Sequence, residues 1–174
     1  MPKLARMCAA DELMVSLRSI LSGKVVVVGI GDACRGDDGV GPLTVRLLAE
    51  SGMENLIDAG VSPELETWRI REAAPDAVLF VDAVDFGGSP GDVAILEPGD
   101  LRAEGFDTHR APLRLTMEYL EAELGARCRL LAVQPRDVRQ GAAMCPEVRQ
   151  SVQHLAAMIA RIRQSGSTRM VSLQ

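Results

Sequence analysis

The segment Lys24–Gly29 reads KVVVVG, four valines in succession with no polar residue between them. A strand with one face in water alternates apolar and polar side chains, so an unbroken β-branched run is the pattern of a strand covered on both faces. That arrangement belongs to a parallel sheet sandwiched between helices. A second such run, Ala77–Val81, stands about fifty residues on, and Arg129–Val133 supplies a third. The stretches between them carry helical periodicity. Alternating β and α elements predict an α/β fold: three layers, a five-stranded mostly parallel sheet with one antiparallel edge strand, and helices on both faces.

The individual elements follow from local signals. Asp11 caps an amphipathic helix through Leu13, Leu17, Ile20 and Leu21, in an N-terminal extension covering 1–23. A helix through Val45, Leu47 and Leu48 follows the loop Ile30–Gly39, and Asn55–Asp58 is a short second strand. Pro63 opens a helix through Leu65, Trp68 and Ile70. Only Asp85–Gly91, rich in Gly and Pro, separates the strand Ala77–Val81 from the strand candidate Val93–Leu96. A parallel crossover needs a dozen or more residues, so these two are expected to form a hairpin, with the second strand antiparallel and at an edge. Residues 97–112 read as a surface loop. The next helix carries the stripe Leu115, Tyr119, Leu120 and Leu124, and the last one runs over Glu147–Ile162. The single α/β domain is expected over 24–164, with a disordered tail over 165–174.

Composition excludes several classes. The 174 residues carry 19 Lys and Arg against 24 Asp and Glu, a net charge of −5, and only 3 Phe, 1 Trp and 1 Tyr. A negative chain poor in aromatic platforms is not built for nucleic acid. No apolar run approaches the ~20 residues of a membrane span. Four cysteines without a CxxC pair indicate neither a zinc knuckle nor a disulfide framework. A soluble cytoplasmic monomer is the expectation.

In a sheet of this kind ligands bind beyond the carboxyl ends of the strands, and here those ends are acidic. Asp32, Asp37 and Asp38 follow the first strand, Asp58 ends the second, and Asp82 ends the third with Asp85 beyond it. Loop and cap preferences account for Asp32, Asp37 and Asp85, and Asp58 is intermediate. The turn Gly29-Ile30-Gly31-Asp32-Ala33-Cys34-Arg35-Gly36 departs from a dinucleotide fingerprint, because Cys34 occupies the third glycine position. It departs from a P-loop as well, because Asp37 stands where a lysine belongs. Carboxylates at that helix start attract a cation and oppose a phosphate. His109, in a Gly- and Pro-flanked loop, can reach the same edge. Two carboxylates and an imidazole suit a borderline divalent ion such as nickel or zinc. Glu64 is explained by the dipole at its helix start. A nucleotide-binding Rossmann-like enzyme and a non-catalytic nickel-dependent binder or chaperone remain the competing readings.

Five segments, taken in order, resemble the [NiFe]-hydrogenase maturation endopeptidases, most closely the hydrogenase-3 processing group. They are Val28-Gly29-Ile30-Gly31 with Gly36-Asp37-Asp38-Gly39-Val40-Gly41-Pro42, Asp58-Ala59-Gly60 with Pro63-Glu64, Val81-Asp82-Ala83 with Pro90-Gly91, Thr108-His109 with Pro112-Leu113, and Gln134-Pro135. The resemblance implies a five-stranded α/β fold and a peptidase that trims the C-terminal extension of a hydrogenase large-subunit precursor after nickel insertion. It places the metal-contacting and catalytic positions at Asp38, Asp82 and His109. Nickel is then carried by the substrate, with another divalent metal conceivable in the free enzyme. Gly39 and Gly41 are expected to let backbone approach the substrate tail.

Overall fold

In a computed structural model of the protein, residues 10–102 and 111–171 are described. The five strands are β1 (Val25–Gly29), β2 (Leu56–Asp58), β3 (Ala77–Ala83), β4 (Val93–Leu96) and β5 (Arg127–Val133). They form one sheet in the order β2-β1-β3-β5-β4, with β2, β1, β3 and β5 parallel and β4 antiparallel at the edge. The helices are α1 (Ala10–Ile20), α2 (Val40–Glu50), α3 (Thr67–Ala73), α4 (Ala111–Leu124) and α5 (Pro146–Val171). No helix among the described residues is long and apolar enough to cross a membrane.

Strand alternation divides the core into two layers. Val25, Val27, Leu79, Val81 and Leu131 face α1, α2 and α5, meeting Leu17, Leu48, Val152 and Ile159. Val26, Val28, Val78, Phe80 and Leu130 face α3 and α4, meeting Ile70, Leu113, Met117 and Leu120. The four valines are thus buried alternately on both sides, as their lack of alternation predicts. α1 packs through Leu13, Leu17 and Ile20 as part of the first layer.

Three expectations are corrected. β4 does not form a hairpin with β3: β5 lies between them. The β3–β5 pairing extends over seven residues from Ala77↔Arg127 to Ala83↔Val133, whereas β4 offers only four. The longer apolar pair takes the centre and the short strand the edge, which a nine-residue connection can still span. Second, α4 buries Leu113, Met117 and Leu120, leaving Leu115 and Tyr119 exposed. The helix carries two apolar rows, and packing against the sheet selects the one that periodicity alone does not single out. Third, Leu65 and Trp68 lie outward and only Ile70 of that predicted stripe is buried. α5 itself is described as helix to Val171. No proline stops the helix there, and a formed helix propagates more cheaply than a new one begins.

The glycines of the first motif do internal work. A Cβ on Gly41 would lie 2.2 Å from the Ile30 nitrogen and 2.3 Å from its oxygen, so the start of α2 rests directly on the end of β1. Gly41 and Gly39 are buried, which replaces the expectation that they face a substrate tail. Helix propensity favours Gly41→Ala, but the atoms it would strike are backbone and cannot swing aside. We expect Gly41→Ala to destabilise by about 2–3 kcal/mol, roughly 5–10 °C in Tm. Gly99→Ala, which meets nothing within 4 Å, is expected to stay within about 0.5 kcal/mol of the parent. Thermal unfolding of both variants checks the pair.

Candidate active-site cleft

β1 ends in a loop tied to both neighbouring strands. The Ile30 amide donates to the Val81 carbonyl and the Gly31 amide to the Gly60 carbonyl, each at 2.8 Å. Gly31 has φ +128°, and a Cβ there would lie 1.9 Å from the Asp38 carbonyl oxygen, so only glycine fits. The chain then folds over in a short 3-10 turn, Gly36–Gly39, that runs into α2.

The two adjacent aspartates of this turn diverge. Asp37 is fully buried. Its Oδ2 accepts the amides of Arg136 (2.8 Å) and Asp137 (3.0 Å), and its Oδ1 accepts the amide of Cys145 (2.7 Å). The Asp37 amide donates in return to the Asp137 carbonyl at 2.9 Å. Burial pushes this carboxyl up, but the backbone donors outweigh it and hold it below the ordinary aspartate value. Asp37 therefore clamps the β5–α5 connection onto the first motif. Asp38 turns to the other side. Its Oδ2 accepts the Asp32 amide at 2.8 Å, which fixes the carboxylate, and the side chain lines a cleft.

That cleft, about 350 Å³, is walled by Ile30, Gly31, Arg35, Asp38 and Val61, then Pro63, Glu64, Asp82, Pro112 and Leu113. Asp82 is buried at the end of β3. It shares strand parity with Val78 and Phe80, which lie in the layer beneath α3 and α4. Asp38 and Asp82, 44 positions apart in the chain, are thus brought into one cavity, as their place at the sheet edge predicts. His109 lies outside the described residues. Pro112 and Leu113, which also line the cleft, belong to the first turn of α4. Among the described residues no three His, Cys, Asp or Glu side chains group so as to hold a metal.

Other candidates fall elsewhere. Asp32 accepts the Cys34 amide at 2.8 Å and Asp58 the Gly60 amide at 3.2 Å, both ordinary loop turns. Asp85 accepts from Gln134 Nε2 at 3.0 Å. Gln134 Oε1 accepts the amides of Phe86 and Gly88, so this buried glutamine organises the loop after β3. His154 is exposed on α5. Burial pushes the Cys128 thiol up to about 12, far from a nucleophile's range. Sequence reasoning missed Glu64 as a third carboxylate on the cleft wall. Its proximity to Asp58-Ala59-Gly60 at a strand's carboxyl end was the available signal.

The family model described as hydrogenase maturation protease matches residues 42–162. The hydrogenase 3 maturation protease of Escherichia coli K12 is 38% identical over 114 residues, covering 63% of this chain and 72% of that protein. The crystal structure of a [NiFe] hydrogenase maturation protease HycI from Thermococcus kodakarensis KOD1 superposes with a TM-score of 0.78. It has 32% identity, with 86% of this chain and 99% of that chain covered. The solution structure of an endopeptidase HycI from Escherichia coli gives a TM-score of 0.71 at 32% identity, covering 81% and 90% of the two chains.

Asp37→Asn keeps the shape but sets an amide N–H₂ against backbone donors. It is expected to cost about 2–3 kcal/mol at neutral pH. A carboxyl held below its ordinary value stabilises the fold fully above that value and loses the contribution as the pH falls through the lowered one. The difference in Tm between parent and variant should therefore be constant from pH 7 to 5 and shrink below about pH 4, as calorimetry across that range would record.

Proposed function

This chain belongs to the hydrogenase maturation protease family, and from that premise we propose that it removes the C-terminal extension of a nickel-loaded [NiFe]-hydrogenase large-subunit precursor. In this reading Asp38, Asp82 and His109 recognise the nickel that the precursor carries. The observation that carries it is the convergence of Asp38 and Asp82 on one cleft that the start of α4 also lines.

Three features support the assignment. The Asp38 carboxylate is held through Oδ2 by the Asp32 amide, which leaves Oδ1 for a ligand and restricts its direction. Asp82 sits on the sheet face that α4 covers. His109 stands three positions before Pro112 in the sequence, and Pro112 lines the cavity. Two carboxylates and one imidazole form a donor set for a borderline divalent ion.

Recognition of substrate-borne nickel aligns the scissile peptide with the acidic edge and restricts cutting to precursors whose metal is in place. A carboxylate oxygen not engaged by the metal accepts a proton from the attacking water. The water oxygen bonds to the peptide carbon, the C–N bond breaks, and the proton passes to the leaving amine. Nothing in this scheme requires nucleotide. The start of α2, where a phosphate would sit, is preceded by Asp37 and Asp38.

The test is mass spectrometry of nickel-loaded and nickel-free precursor after incubation with the protein. The parent is expected to cut the loaded form alone. Asp38→Asn, Asp82→Asn and His109→Ala should each lower kcat/KM by about 100-fold or more. Equal cutting of both precursors by the parent and all three variants would refute the assignment. A stable complex with no change in precursor mass would make the protein a binder instead.

A further inference from the structure

Outward apolar side chains of α4, of α3 and of the segment that leads into α3 form one surface. Val61 is 68% exposed, Leu65 69%, Trp68 61%, Leu115 55% and Tyr119 42%. Trp68 and Tyr119 are the chain's only tryptophan and tyrosine. Both helices lie on the same face of the sheet, and each leads into a strand of the parallel set, so they run in the same direction. Arg71 on α3 pairs with Glu123 on α4 at 3.3 Å, which sets their register. One turn earlier on each helix stand Trp68 and Tyr119; Leu115 lies one turn before Tyr119, and Leu65 lies in the 3-10 turn Pro63–Glu66 that precedes α3. Val61 completes the row and also lines the cleft that holds Asp38 and Asp82.

We infer that this row is where the folded body of the precursor docks, through an apolar patch of its own, while its C-terminal segment enters the cleft; the inference rests on the peptidase reading above. Three carboxylates beside the row are paired within the chain, Glu66 with Arg69 at 2.9 Å, Glu118 with Arg114 at 3.0 Å and Glu123 with Arg71, while the exposed Glu64 and Glu72 flank it. An apolar, aromatic-bearing centre with a polar rim is the anatomy of a protein contact. Position argues for the precursor. The five side chains expose on the order of 500 Å², the size of the largest apolar patch on an ordinary monomer, where such a patch is often functional. Val61 belongs both to the row and to the cleft wall, so a partner whose segment enters the cleft brings its folded body against the row.

The test labels the single tryptophan as 5-fluorotryptophan and follows its ¹⁹F resonance on addition of nickel-loaded precursor. The resonance is expected to shift and saturate. Leu65→Ser with Leu115→Ser should raise Kd and KM at least tenfold, while kcat at saturating precursor stays within twofold and far-UV circular dichroism stays unchanged. An unmoved resonance while the precursor is cut would overturn the docking surface and leave the cleft assignment intact. A shifted resonance without cutting would support the docking surface and overturn the peptidase reading. Sedimentation of the parent as a dimer that the double variant dissociates would assign the row to a second copy and overturn the inference.

Discussion

A single buried carboxylate joins the two ends of this fold. Asp37 leaves the loop after β1 and accepts backbone amides from Arg136, Asp137 and Cys145, about 100 residues away in sequence. An ionised group without partners in that position would cost several kcal/mol, and its donors left unmatched would cost more. The full set of bonds makes the loop and the β5–α5 connection mutually dependent. Asp38 follows immediately and inherits that rigidity. Its backbone is set by the clamp, its carboxylate by the Asp32 amide, and its loop by Gly31, which no larger residue can replace. The direction in which Asp38 presents its remaining oxygen is therefore a consequence of packing far from the cleft.

The same economy of backbone contact explains how the acids meet. The amides of Ile30 and Gly31 lock the end of β1 to the ends of β3 and β2, and Gly41 lets α2 lie on that junction. Asp82 reaches the cleft because strand parity sends it to the α3–α4 side. The cleft thus gathers Asp38, Asp82 and Glu64 from three parts of the chain, with Arg35 beside them.

Much of this was legible in the residues. The valine run and Ala77–Val81 specify buried parallel strands, and the acidic strand ends mark the edge where Asp38 and Asp82 converge. What was not legible depended on tertiary competition. A short connection between β3 and β4 suggested adjacency, yet the length of the β3–β5 pairing decided the order. Two apolar rows two positions apart on α4 are equivalent to periodicity, and only the sheet chooses Leu113, Met117 and Leu120. Asp37 and Asp38 are the same residue in neighbouring positions. Nothing local separates them, because the amides that bury Asp37 lie in another part of the chain. The outward Leu65, Trp68, Leu115 and Tyr119 follow from the same competition and give the cleft an apolar flank.

The central claim is that side chains of this protein enter the coordination of nickel held by another. X-ray absorption at the nickel edge addresses it directly. Loaded precursor would be measured alone and after rapid mixing with equimolar protein, frozen before turnover. The account predicts new oxygen and nitrogen scatterers at about 2.0–2.2 Å, absent with Asp38→Asn. A nickel shell unchanged by the protein, in a sample that goes on to be cut when thawed, would contradict it.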